Sequence, residues 1–248
     1  MTLPPLDDGT ERKVVIQLID APFSQGWVEN IRTLARAGYW DGSMILRVQD
    51  NYVVQWGQPD PEMGVEEKPV PEGLNVMNEN DYTVMLPPAP EMDQPIFPVT
   101  AIQRGQFLQE AAPLLEERGF DMEEFRLVAE RAKGDSYAIE TAIIDGWPTA
   151  TGPLGDDEVT AWPVHCYGMV GVGRGMSPDT GDGSQLYTVI GHAPRHLDRN
   201  IAVVGRIVEG IEHLSSLPRG KGPLGFYADE AKRVPLVSVR MGADLPED

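Results

Sequence analysis

Apolar residues in this chain recur with a period of two over short runs, and a helical period appears in only a few places. That pattern commits the chain to a mainly β fold, because alternate residues of a strand share one face. "KVVIQLID" (13–20) sets Val14, Ile16 and Leu18 on one face with Gln17 opposite. "MILRV" and "YVVQW" flank the polar turn Gln49-Asp50-Asn51 and read as a hairpin. "GSQLYTVIG" (183–191), "NIAVVGRI" (200–207) and "RVPLVSVRM" (233–241) read as further strands. Helix spacing is confined to three stretches. In the first, Trp27, Ile31, Leu34 and Ala35 share a face and Gly38 stands where a C-terminal cap belongs. In "VEGIEHLSSLP" (208–218), Val208, Ile211 and Leu214 point inward and Pro218 is the stop. In "DMEEFRLVAERAKG" (121–134), Asp121 and Glu124 form a capping box and Phe125, Val128, Ala129 and Ala132 line one face. Many strands with few helices predict a closed or nearly closed antiparallel β-barrel with helical plugs.

The texture shifts between Gln58 and Val164. This 107-residue stretch is rich in proline and acid, as long surface loops are, apart from the helix expected at about 121–133. Residues 1–12 read as a polar N-terminal arm, and 13–248 as a single domain carrying an insertion at about 58–164. The net charge is −19, from 20 basic and 39 acidic residues, and no Lys/Arg cluster stands above that background. No nucleic-acid backbone would find a cationic track here. With one cysteine, Cys166, an intrachain disulfide is excluded. No run of 18 apolar residues exists to span a membrane, and the first residues lack an apolar signal core. Both the cytoplasm and the periplasm, the latter with a leader removed, stay open as compartments.

Searches for a reactive centre fail. Ser184 in "GDGSQ" is not on a nucleophile elbow. The glycines of "GMVGVGRG" lack dinucleotide-binding spacing, and "DTGDGS" lacks the downstream glutamate of a calcium loop. His165, His192, His196 and His213 share no helical face, so neither a metal nor a cofactor is expected. What remains is an oddity in the hairpin: Arg47 and Gln55 sit among residues that should build a core. By alternation, Ile45 and Arg47 point one way, and Val53 and Gln55 lie together on the partner strand. Gln185 and Tyr187 share a face of another strand. One guanidinium, two amides and a few apolar side chains fit either a binding groove or a solvated strand face.

Two segments then resemble the cyclophilins. In "VVIQLIDAPFSQGWVENIRTLARAGYWDGSMILRVQDNYVVQWGQP" a strand ending in Ala-Pro leads through a helix to a Tyr-Trp-Asp-Gly turn and an Arg-Val strand, then to a glutamine-ended run. In "HCYGMVGVGRGMSPDTGDGSQLYTVIGHAPRHLDRNIAVVGRIVEGIEHLSSL" a histidine, a Gly-rich loop, Gly-Ser-Gln, Leu-Asp and Gly-Arg-Ile-Val-Glu-Gly follow in order. The resemblance spans roughly 13–57 and 165–241, and its texture is that of a divergent bacterial member. It implies a closed eight-stranded antiparallel barrel with two capping helices, plus a long insertion carrying at least one extra helix.

The resemblance also implies a site. It puts the catalytic arginine on Arg47 and the groove glutamine on Gln55, with Tyr52, Val53, Tyr187 and Leu197 in a proline pocket and the substrate-binding glutamine of Gly-Ser-Gln on Gln185. His196 replaces a tryptophan found in many members, Ile201 a histidine and Val204 a phenylalanine, while Arg174 and Gly175 replace a small pair that binds peptide backbone. The activity implied is cis/trans isomerisation of X–Pro bonds in peptides and folding proteins, by a monomer and without a cofactor. The alternative is a catalytically weak module that binds proline-containing peptides, because the losses at Ile201 and Val204 would open its pocket. A carrier barrel of another kind is a third reading.

Overall fold

The computed structural model describes residues 1–57, 68–86, 112–114, 116–119, 121, 135, 137–153 and 159–246. The helix expected at 121–133 lies outside the described residues, apart from Asp121. In chain order the elements are β1 (Thr2–Leu3), β2 (Arg12–Lys13), β3 (Val15–Leu18), α1 (Gln25–Arg36), β4 (Met44–Val48) and β5 (Val53–Gly57). There follow β6 (Val84–Met85), β7 (Glu140–Ile144), β8 (Trp147–Pro153), β9 (Val159–Pro163), β10 (Met169–Val172), β11 (Leu186–Val189), β12 (Val203–Glu209), α2 (Glu212–Ser215) and β13 (Val234–Pro235). The chain divides into two compact units, residues 1–83 with 164–248, and residues 84–163. Among the described residues no helix is long and apolar enough to cross a membrane.

The first unit is one antiparallel sheet of seven strands in the order β13-β4-β5-β11-β10-β12-β3, curled into a half-barrel. Its end strands, β13 and β3, do not pair with each other; between them runs β1, which pairs with β2 and bridges from Thr2 to Ser238. The segment read as a polar arm thus contributes a strand whose Leu3 is 1% exposed. Helix α1 buries Trp27, Val28, Ile31, Leu34 and Ala35, the face its spacing predicts. Its end is a Schellman motif: Gly38 at φ 63° donates to the Ala35 carbonyl and Tyr39 donates to that of Leu34. Helix α2 is shorter than expected, because β12 runs on through Glu209, which pairs with Val15, and leaves Val208 exposed on a strand.

The hairpin β4–β5 departs from simple alternation. Ile45 opposes Trp56 and Arg47 opposes Gln55, so Leu46 is an extra residue, a β-bulge. The expectation that Ile45 and Arg47 share a face is therefore wrong. Ile45 and Trp56 are almost fully buried, whereas Arg47 and Gln55 are only half-buried. The second unit is a four-stranded antiparallel sheet, β6-β9-β8-β7. Its β7–β8 turn is Asp145-Gly146, both at positive φ, the requirement of a two-residue hairpin turn. Among its described residues Trp147, Ala150, Ala161 and Trp162 are buried apolar side chains, Thr149 and Thr160 are buried with them, and Ile143 is exposed.

Leu3 supplies the buried side chain of the strand between the sheet's ends. Leu3→Ala is expected to cost about 2–5 kcal/mol by the usual cavity penalty. Denaturant unfolding would read this as a lower midpoint with an unchanged slope. A midpoint like that of the parent chain would show that β1 is dispensable.

Candidate active site

The bulge at Leu46 sets the stage. Downstream of it, Arg47, Gln55 and Tyr187 are successive cross-strand neighbours on one face of β4, β5 and β11. Gln185 precedes β11 on a loop that the core holds in place: Trp40 Nε1 donates to the Ser184 carbonyl at 2.8 Å, Trp27 Nε1 to that of Gly181 at 2.9 Å, and Asn30 Nδ2 to that of Asp182 at 2.9 Å. Arg47 Nη1 donates to Gln55 Oε1 at 3.2 Å, and Gln55 Nε2 donates to Gln185 Oε1 at 3.0 Å, a polar ladder from β4 through β5 to the loop ahead of β11.

Arg47 is restrained on every side. Its Nε donates to the Leu224 carbonyl at 2.7 Å and its Nη2 to Gln49 Oε1. The rings of Tyr52 and Phe226 each lie 5.5 Å from the guanidinium carbon. Burial pulls the Arg47 pKa below the usual range of a guanidinium, and the charge persists at neutral pH. Beside the ladder, Val53, Tyr187, Val189 and Leu197 form a buried apolar cluster with Tyr52 and Ile201 packed against it. At the rim, His196 stacks on Tyr52 with ring centroids 5.8 Å apart, and its Nε2 is 3.3 Å from the Tyr52 hydroxyl.

Most residues expected at the site are thus brought together: Arg47, Gln55, Gln185, Tyr52, Val53, Tyr187, His196, Leu197 and Ile201. Arg174 and Gly175 lie to one side, lining with Gln185 a cleft of about 500 Å³. Arg174 is turned toward the 195–201 loop, where its Nε donates to the Asn200 carbonyl at 2.9 Å, and Gly175 N–H donates to Asp179 at 2.7 Å. Val204 does not join the site. It is fully buried and lines a different cavity, of about 440 Å³, with Trp40, Trp56, Val170 and Leu186. A small residue at 204 therefore does not open the apolar cluster, contrary to expectation.

Sequence reasoning missed two sets of residues. Leu224 and Phe226 reach Arg47 from a segment about 180 positions away, where Arg47 and Phe226 form an isolated bridge, and no local pattern signals this. His165, Asp198 and Arg195 form a buried chain behind Tyr187. His165 Nδ1 and backbone N–H contact Asp198 Oδ1 at 2.9 and 3.0 Å, and its Nε2 is 2.8 Å from the Tyr187 hydroxyl. Arg195 Nε donates to Asp198 Oδ2 at 2.6 Å. Burial pushes the His165 pKa below 6.5 despite the opposing pull of Asp198. Burial also pushes the Asp198 carboxyl up, but the hydrogen bonds from His165 and Arg195 outweigh it and leave the group below 3.8.

Residues 11–241 match the family described as "Cyclophilin type peptidyl-prolyl cis-trans isomerase/CLD". The chain belongs to this cyclophilin-type isomerase family. Its fold is similar to that of the cyclophilin AquaCyp293 from Hirschia baltica, at 23% identity and a TM-score of 0.54, covering 94% of this chain and 71% of that one. A Cryptosporidium parvum cyclophilin type peptidyl-prolyl cis-trans isomerase, solved in the presence of the dipeptide Ala-Pro, aligns at 11% identity and a TM-score of 0.42 over 90% and 88% of the two chains. No curated protein sequence matches the chain.

The His165 and Asp198 shifts have the same sign for stability. Each group binds protons more weakly in the folded chain than in the unfolded one, so acid favours unfolding. For His165 the stability is complete above the ordinary value of 6.5 and is lost as pH falls below it; for Asp198 the loss begins near 3.8. Melting temperature is expected to drop on going from about pH 7.5 to about pH 5, and the drop is expected to shrink in His165→Leu. An equal drop in both proteins would show that His165 does not titrate this way.

Proposed function

We propose that this chain accelerates cis/trans rotation about X–Pro bonds in peptides and folding proteins, and that Arg47 stabilises the twisted amide. Resonance gives the peptide C–N bond a rotational barrier of about 18–20 kcal/mol. Uncatalysed X–Pro exchange therefore takes tens to hundreds of seconds. As the bond twists, conjugation is lost and the prolyl nitrogen gains a lone pair that accepts a hydrogen bond. A donor aimed at that nitrogen binds the transition state better than either ground state, which is what catalysis requires.

The observation that carries this reading is the setting of Arg47. Among the described residues three of its five N–H groups have partners, Leu224, Gln55 and Gln49, which leaves two that a ligand would use. Gln55 likewise has a second amide hydrogen, with which it would hold a carbonyl flanking the proline. Tyr52, Val53, Tyr187 and Leu197 would grip the pyrrolidine ring while the preceding residue turns. Arg174 and Gly175 would border the path of the bound backbone, since their cleft shares Gln185 with the groove. Nothing in this chemistry needs a nucleophile, a metal or a cofactor.

On the same reading, β1 closes the half-barrel into an eight-stranded barrel, supported by the Thr2–Ser238 bridge and the β1–β2 pairing. Residues 1–12 then serve less as an arm than as its seam. The stretch from 58 to 164 is read as an insertion into one cyclophilin-like domain that works as a monomer. A second reading, a weak proline-peptide binder, draws on Ile201, which gives the groove an apolar wall where the family has a histidine.

A protease-coupled assay on a proline tetrapeptide separates the two readings, because only an isomerase shortens the slow phase. Arg47→Ala is expected to lower kcat/KM by roughly 100-fold or more, the loss typical of removing one transition-state donor. The folded state is expected to lose only about 1–2 kcal/mol, because the carbonyl of exposed Leu224 can turn to water. Wild-type turnover in folded Arg47→Ala would end the mechanism. Peptide binding with no catalysis by the parent chain would favour the second reading.

A further inference from the structure

Tyr187 has two ends with different duties. Its ring belongs to the apolar cluster that faces the groove. Its hydroxyl points the other way, into a site that is 1% exposed on the histidine side, and meets His165 Nε2 at 2.8 Å. Gly171, the cross-strand partner of Tyr187, makes room for this: a Cβ there would come within 2.4 Å of Tyr187 Cζ and 2.3 Å of its hydroxyl oxygen. The ring's outer end therefore lies across a bare stretch of backbone, with no side chain at Gly171 to block a tilt of the hydroxyl in that direction.

The hydrogen bond supplies what the glycine removes. His165 Nδ1 faces a carboxylate that Arg195 keeps ionised, so its proton sits on Nδ1 and its Nε2 is left as an acceptor. The Tyr187 O–H then donates to Nε2. The imidazole is also nearly parallel to the phenol ring, at 9° and 6.2 Å between centroids. A hydroxyl this deeply buried costs free energy unless it is bonded, so the ring cannot swing toward the groove without losing that partner.

We propose that His165 is a positioning residue for the proline groove, holding the Tyr187 ring through its hydroxyl, with Asp198 and Arg195 fixing His165 in turn. This rests on the isomerase reading for its kinetic consequence, but the restraint on the ring does not. The imidazole itself touches no substrate; it acts by keeping the ring under the pyrrolidine from tilting away as the bond twists. The groups that face it are Asp198, Tyr187 and, at longer range, His196. Protonation at Nε2 would turn the imidazole into a second donor toward Tyr187 and leave the phenol hydrogen without its acceptor.

The test is a double-mutant cycle with His165→Leu and Tyr187→Phe, read by kcat/KM on a proline tetrapeptide and by proton NMR of the Tyr187 ring. Each single substitution is expected to lower kcat/KM by about 10-fold, and the double variant to be no worse than either, because both break one hydrogen bond. His165→Gln, whose amide oxygen can accept from the phenol, is expected to restore part of the loss. In the parent chain the nuclear Overhauser contacts of the Tyr187 ring to Val53 and Leu197 should define one tilt of the ring, and in His165→Leu they should weaken or change. Tyr187→Phe keeps the ring's shape, so it carries the kinetic test if His165→Leu fails to fold. Additive losses, or a Tyr187→Phe rate equal to the parent's, would overturn the proposal, as would ring contacts unchanged in His165→Leu. A parent chain with no isomerase activity would instead defeat the functional reading, while the ring contacts would still judge the role of His165.

Discussion

The groove depends on one extra residue in β4. Strict alternation from the buried Ile45 would turn residue 47 toward the interior, where a guanidinium would face Trp40 and Trp56 with no partner for its charge. The bulge at Leu46 absorbs one position and moves Arg47 to the outer face opposite Gln55. The bulge also frees backbone groups of β4 for another chain segment: the Leu46 carbonyl accepts from the Tyr227 N–H at 3.0 Å, and the Val48 carbonyl from Gly220 at 2.9 Å. That brings Leu224 and Phe226 alongside Arg47. A single local irregularity thus creates the charged group's exit from the core and recruits the segment that restrains it.

Energetically the site is an unusual place for an arginine. Burial lowers the Arg47 pKa, which says that the charged form is held against its preference for water. Its described partners are a carbonyl, two amide oxygens and two aromatic faces, none of them a carboxylate. In a chain with 39 acidic residues this is a selective exclusion. On the mechanism proposed for Arg47, a carboxylate would neutralise the guanidinium and weaken its field at the nitrogen of a twisting amide. Dipoles and ring faces orient the group yet leave its charge in place.

The sequence told a good deal about the first unit, and for identifiable reasons. The buried face of α1, its glycine cap, the β4–β5 hairpin and the Tyr187–Val189 face all follow from short-range periodicity. The β7–β8 hairpin carries a local signal too, the Asp-Gly between Ile144 and Trp147, but it stands inside a proline- and acid-rich stretch whose composition is that of loops. Three features lay beyond local pattern. A bulge changes register without changing composition, so Ile45 and Arg47 looked like neighbours on one face. Val204 stands in the groove only by the resemblance, which cannot tell a pocket position from a core position on β12, and the structure buries it away from the apolar cluster. The extent of β12 through Val208 was masked by an apolar spacing that suits a helix equally well.

The polar ladder and the buried histidine chain divide the labour of rigidity between the two walls of the groove. On one wall, Gln185, Gln55 and Arg47 are linked side chain to side chain, so displacing any of them disturbs hydrogen bonds of the others. On the other wall, Tyr187 can make no such link across the groove, because its neighbours there are Val53, Val189 and Leu197. Apolar contacts hold the ring but do not select a direction for its hydroxyl end, since they have no preferred direction. Direction has to come from behind, and the only polar atom of the Tyr187 side chain points there, to His165. The two walls meet in the sheet itself: Gln55 and Tyr187 are cross-strand partners, so the restraint on the ring and the restraint on the guanidinium are anchored to the same ladder of backbone hydrogen bonds.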